Sequence, residues 1–244
     1  MAVPISPSTN NTRVVDLYTK SGSLGSYGAL FVLDPDHDIG FAIQAAGKWA
    51  SEQVYYLAEL LAETIIPAIE EAAREEALAN FVGTYASTDP KLNSSITLIV
   101  DPDRPGLGVS QFFSNGTDML KSSLISALPT DVPQHLNIQL YPVGLSSGTE
   151  QAWRAVFEML PKAQTGTFDL SCNTWFGVGG PLYGNVGLDD FVFGFEKGSP
   201  KASTVSPRAL RTTLKRVDTG TYTCLLYTSP SPRDRTRSRM PSSA

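Results

Sequence analysis

The sequence predicts an α+β chain: a strand hairpin and one long helix first, then a closed or half-closed antiparallel barrel. Three observations carry this reading. Val54, Leu57, Leu61, Ile65 and Ile69 recur at three- to four-residue spacing, with acidic residues filling the other face, the pattern of an amphipathic helix. At Phe81 the texture changes to short alternating runs separated by turn residues. About eight such runs lie beyond it, which suits a barrel better than an open sheet.

Taken in order, Ala29-Leu30-Phe31-Val32-Leu33 reads as a strand and Phe41 to Gly47 as a second. The cluster Asp34-Pro35-Asp36-His37-Asp38-Ile39-Gly40 between them makes a hairpin with a loop of several residues. Ser51 is a reasonable N-cap for the helix behind the hairpin. Pro67 should kink that helix or split it, because proline lacks the donor and crowds the preceding turn. In the second half, Ser95–Val100 and Leu107–Phe113 read as strands ended by Asp101-Pro102-Asp103 and Asn115-Gly116. Leu136, Ile138 and Leu140 alternate with polar residues, as do Trp153, Ala155, Phe157 and Met159. Phe191, Phe193 and Phe195 share one face of a late strand, and Leu210, Thr212 and Leu214 suggest a final one. Trp153, Phe157, Trp175 and Tyr183 are candidates to line a cavity inside the barrel. Packing is the reading expected first, since small barrels are usually filled by side chains.

Composition excludes several classes. The chain is 41% apolar and 18% charged, with a formal net charge of −5, and its length supports one large or two modest domains. No run is apolar for long enough to span a membrane, and Met1-Ala2-Val3-Pro4 does not open an export signal. Basic clusters interleaved with aromatics are missing from the folded part, so nucleic acid is not expected as a partner. The histidines, His37 and His135, have no companion at metal-ligand spacing, so neither a metal nor a cofactor is expected. Gly144-Leu145-Ser146-Ser147-Gly148 has the letters of a nucleophile elbow. The next run, Gln151 to Leu160, alternates like a strand, and both histidines precede the motif, so it reads as a hairpin loop.

The chemically suggestive run is Lys20-Ser21-Gly22-Ser23, directly ahead of the first strand. An acyl-serine site needs a positive group beside the nucleophile and a hydroxyl for a substrate carboxylate. It also needs a backbone N–H aimed at the developing oxyanion and a bare position where substrate lies along the strand. Lys20, Ser21, the Ser23 backbone and Gly22 match those needs in that order.

With the strand, hairpin and helix behind it, this run resembles the third motif of the β-lactamase, penicillin-binding-protein and carboxylesterase superfamily. Residues 14 to about 80 resemble the C-terminal end of that catalytic domain. From Phe81-Val82-Gly83-Thr84-Tyr85 the chain resembles the additional barrel of fungal β-lactamase-like proteins. The resemblance implies residues 1–80 as part of a serine hydrolase domain, residues 81–218 as a lipocalin-like barrel, and acyl transfer from a β-lactam, ester or amide in a secreted parent. A small-molecule substrate is then the partner. The nucleophile motif Ser-x-x-Lys is absent: none of the eight lysines has a serine three residues before it. Ser8-Thr9-Asn10 and Tyr183-Gly184-Asn185 are misplaced for the second motif. The chain alone is therefore expected to be inactive, and a non-catalytic barrel module is the alternative.

Three sequons, at Asn10, Asn93 and Asn115, fit a secreted parent. Cys172 and Cys224 read as a buried free thiol and an accidental one ahead of a disulfide, or Cys172 as the partner of a missing segment. Residues 219–244 read as a disordered, non-native tail, with four Arg and little to bury from Leu225 onward. They resemble translated adapter sequence.

Overall fold

The computed structural model describes residues 1–6, 10–121, 135–160 and 178–217. Cys172, Trp175, Cys224 and the tail lie outside the described residues. Strands β1 (Ala2–Pro4) and β2 (Thr12–Val14) pair antiparallel. Next, β3 (Tyr18–Leu24), β4 (Tyr27–Asp34) and β5 (Ile39–Ala46) form a three-stranded antiparallel sheet in chain order. Gly25, with φ 58°, takes the first central position of the two-residue β3–β4 loop. That is the type II′ pattern whose twist matches the flanking strands. The β4–β5 loop holds a short 3₁₀ turn, Pro35–His37, capped by the Asp34 carboxylate, which accepts from the Asp36 and His37 amides.

One helix, α1 (Ala50–Asn80), covers one face of this sheet. Its start differs from the expected cap. Trp49 holds the N-cap position without a side-chain bond, Ser51 lies inside the first turn, and Glu52 places negative charge at the dipole's positive end. Pro67 does not split the helix. Its missing donor leaves only the carbonyl four residues back, on exposed Glu63, where water can replace the bond. The buried stripe also differs. Ala50, Val54, Ala58, Ala62 and Ile66 face inward, whereas Leu57 is exposed and Leu61 and Ile65 only half-buried. Close approach is the reason: a Cβ on Gly28 of β4 would sit 2.8 Å from the Ala50 backbone. Alanines let the backbones meet where leucines would hold them apart. Leu30, Val32, Val54 and Ala58 form this core, and Val3, Val15, Ala62 and Ile66 a second small one.

The rest closes into an eight-stranded antiparallel barrel. Its staves are β6 (Gly83–Ala86), β7 (Ser95–Val100) and β8 (Leu107–Ser114), with the short β9 (Thr117–Asp118) continuing from β8. The long β10 (His135–Ser146) and β11 (Glu150–Leu160) come next. After the small pair β12 (Leu182–Tyr183) and β13 (Val186–Gly187) come β14 (Asp190–Phe195), β15 (Ala202–Pro207) and β16 (Leu214–Arg216). Around the wall the order is β6-β7-β8-β10-β11-β14-β15-β16 and back to β6. The β8–β10 seam pairs Leu107 with Leu140 and Gly108 with Gln139. Gly106, at φ 84° just before it, leaves no room for a side chain, since a Cβ there would meet the Leu140 carbonyl at 2.7 Å.

The barrel is filled. Phe81, Tyr85, Trp153 and Phe193 form edge-to-face and tilted contacts with ring centroids 5.0–6.3 Å apart. Tyr183 lies exposed on β12 and lines no interior. The expected last strand is also corrected: Arg208–Leu210 is a 3₁₀ turn ended by Arg211 at φ 53°, and the strand begins at Leu214. Gly144 to Ser146 end β10 and Ser147 opens the hairpin turn, its hydroxyl accepting from the Glu150 amide at 3.1 Å. No helix among the described residues is long and apolar enough to cross a membrane.

Candidate functional site

Lys20, Ser21, Gly22 and Ser23 all lie on β3, the outer strand of the small sheet, and all are exposed. The register places Lys20 opposite Phe31 and Gly22 opposite Ala29, on the sheet face that α1 leaves bare. Ser21 pairs with Leu30 and Ser23 with Gly28, on the helix side. The lysine and the first hydroxyl therefore project from opposite faces, as the two-residue period of a strand requires. The tight β3–β4 loop makes Leu24–Tyr27 the hydrogen-bonded closing pair. Alternation then directs the Thr19, Ser21 and Ser23 amides to the free edge.

The Lys20 ammonium donates to the Ser21 carbonyl at 2.8 Å, and no carboxylate among the described residues pairs with it. A Cβ on Gly22 would meet nothing within 4 Å, so the space over it is open. The bare face around them is apolar: Tyr18, Tyr27 and Phe31 are 61%, 67% and 46% exposed. The strand thus offers a cation, an outward amide and an open position beside aromatic surface. The described residues bring no nucleophile to it.

Sequence reading missed a second polar cluster. His37, nearly buried, sets Nδ1 2.5 Å from Asp34 Oδ2 and Nε2 2.9 Å from Glu70 Oε1. Arg13 joins from β2, donating through Nε to Glu70 at 2.7 Å and through a terminal nitrogen to Asp36 at 3.1 Å. Partial burial works against the Arg13 charge, but the hydrogen bonds and charges of Glu70 and Asp36 outweigh it and hold the guanidinium above its ordinary value. The cluster ties β2, the β4–β5 loop and α1 together. The run Asp34-Pro35-Asp36-His37 signals it only as a turn, because its partners are 24 and 33 residues away from His37 in the chain. No group of three or more His, Cys, Asp and Glu among the described residues could hold a metal ion.

Known proteins share this chain's sequence over much of its length. A beta-lactamase-like protein of Arthroderma benhamiae is 27% identical over 224 residues, 82% of this chain. A probable hydrolase of Phoma sp. is 34% identical over 124 residues, 49% of the chain, and one of Cochliobolus lunatus is 33% identical over a stretch of the same length. The chain spans 37%, 19% and 18% of those relatives' lengths. No solved structure matches. The family profile described as the beta-lactamase-like-like C-terminal domain matches residues 73–218, from the last turns of α1 through β16. On that match the chain belongs to the beta-lactamase-like-like C-terminal domain family.

Proposed function

We propose that the chain is the C-terminal portion of a β-lactamase-related serine hydrolase, and that β3 forms one wall of its acyl-serine site. Residues 1–80 then complete the catalytic domain and residues 81–218 form an appended lipocalin-like barrel. In that role Lys20 stabilises negative charge as the serine attacks. Ser21 hydrogen-bonds a substrate carboxylate, Gly22 lets substrate lie along the strand, and the Ser23 amide faces the oxyanion. The substrate is a β-lactam, ester or small amide, and the nucleophile comes from the remainder of the parent.

The observation that carries this reading is that, among the described residues, β3 has a free edge beside a bare aromatic face. An unpaired edge and an uncovered apolar face are what a folded protein normally hides. The names of the relatives, a beta-lactamase-like protein and probable hydrolases, support the same chemistry. Asn10, Asn93 and Asn115 are all exposed, which supports a secreted, glycosylated parent.

The chain alone should not turn over nitrocefin or p-nitrophenyl acetate. Hydrolysis above buffer that a serine-directed phosphonate abolishes would overturn this. In the rebuilt parent, Lys20→Ala should lower kcat/KM by about 10²- to 10⁴-fold with the melting temperature unchanged. Near-parental kcat/KM would leave Lys20-Ser21-Gly22 an ordinary strand tripeptide. The closed, self-packed barrel favours one other reading, a non-catalytic binding or structural module, and a rebuilt parent without hydrolase activity would select it.

A further inference from the structure

A cleft of about 530 Å³ lies between the last turns of α1 and the mouth of the barrel. Its volume is that of a small-molecule site. Three aromatic residues, Phe81, Trp153 and Phe195, line it. Phe81 and Phe195 meet edge to face at 5.9 Å, and Phe81 and Trp153 lie 5.0 Å apart. The Trp153 indole N–H is already used, donating to Gln151 Oε1 at 3.1 Å, and with Phe81 and Trp153 only 9% and 6% exposed the rings give the cleft an apolar floor rather than open π faces. Glu76 from the helix and Glu150 from the start of β11 also line the cleft, and both are exposed.

Among the described residues, no lysine, arginine or histidine lines it. The nearby cations are engaged or elsewhere. Arg74 is held by Glu71 at 2.6 Å, and Arg216 serves the carbonyls of Asn80 and Val82. Lys197 and Lys201, in the β14–β15 loop, are exposed and do not line the cleft. An apolar floor and carboxylates without a countercharge among the described lining attract the same chemistry: a cation with an apolar body.

We infer that the helix–barrel cleft binds an organic cation, an ammonium group carried on an aromatic or aliphatic frame. This site is separate from β3 and does not depend on the hydrolase reading.

The test uses the whole chain and benzyltrimethylammonium as probe, with benzyl alcohol and benzoate as its neutral and anionic counterparts, read by calorimetry. The cation should bind with a dissociation constant on the order of a millimolar, more tightly than benzyl alcohol, with benzoate weakest. Added salt should weaken it. The double variant Glu76→Gln/Glu150→Gln should bind about threefold to thirtyfold more weakly, with an unchanged melting temperature because both side chains are exposed. Ala73→Phe, a substitution at an exposed helical position that lines the cleft, should block the probe. Lys20→Ala should leave binding intact. Absence of binding, equal affinity for all three probes, or binding that both cleft variants leave unchanged would overturn the inference.

Discussion

The sheet-and-helix layer and the barrel are both antiparallel β structures, but they treat their edges and faces in opposite ways. The barrel pairs β8 with β10 and β16 with β6, so its wall has no free edge, and its interior holds one continuous core. Among the described residues, the small sheet has β3 unpaired on one side and only one of its faces covered. A closed sheet is complete in itself, whereas an open one with an aromatic face is half of an interface. The family match respects the same division, since it covers the barrel and the end of α1 but not the small sheet.

The sharpest way to break this comparison is to remove one aromatic ring from each region. Phe193 is fully buried and packs against Phe81, Tyr85 and Trp153. Phe193→Ala should cost about 3–5 kcal/mol in denaturant unfolding, the range for large-to-small changes in a filled core. Phe31→Ala, on the bare face, should cost less than about 1 kcal/mol, in line with exposed positions generally. Equal costs would mean that the bare face is covered by something within the chain.

Where the sheet does pack, it packs on backbone. Gly28→Val places side-chain atoms against the Ala50 carbonyl region, already at 2.8 Å from a hypothetical Cβ. That contact cannot yield by a rotamer change, so the variant should lose about 1–3 kcal/mol. The loss should fall on the first unfolding step of a thermal melt if the layer opens before the barrel. A melt indistinguishable from the parent would show that helix and sheet are not held this closely.

How far the sequence foretells this is uneven, for physical reasons. Alternation at Leu136–Leu140, Trp153–Phe157 and Phe191–Phe195 makes the barrel legible, because one face of every stave is buried. Closure at the Gly106–Gly108 seam is not legible, since it joins residues more than thirty positions apart and depends on bare backbone. The helix is visible but its face is not: leucines mark the apolar stripe, while alanines mark the close contact. Ala202–Pro207 escapes notice because its buried residues, Ala202, Val205 and Pro207, neither alternate strictly nor include a large apolar side chain. At the candidate site, Lys20-Ser21-Gly22-Ser23 can be picked out by residue type, but it reads as lying ahead of the first strand, whereas it forms a strand of its own. That it occupies a free edge depends on which strands pair, which periodicity does not encode.

A smaller effect probes the free edge directly. By hydrogen exchange, the Thr19, Ser21 and Ser23 amides should exchange with little protection. Those of Leu98, Val192 and Phe193, each with strand partners on both sides, should be among the slowest. Protection of Ser21 and Ser23 comparable to the barrel would mean that the β3 edge is paired in solution, by a second copy or by another segment.

The smallest expected effect concerns the outer wall of the barrel. Burial holds the Tyr141 phenol above its ordinary value of 10.0, the Glu158 carboxylate adds to this, and Arg104 partly offsets it. A raised phenol pKa means that the folded state retains the proton longer than the unfolded chain does. The stability it contributes is therefore fully present below the unfolded value and is lost as pH rises through the folded one. The chain should lose stability on the alkaline side of about pH 10, and Tyr141→Phe should flatten that part of the pH profile. An ultraviolet titration of phenolate formation, comparing the parent with the variant, isolates the group. A Tyr141 that ionises at or below the free-tyrosine value would mean that the β10–β11 wall is more open to water around Glu158 than its packing indicates.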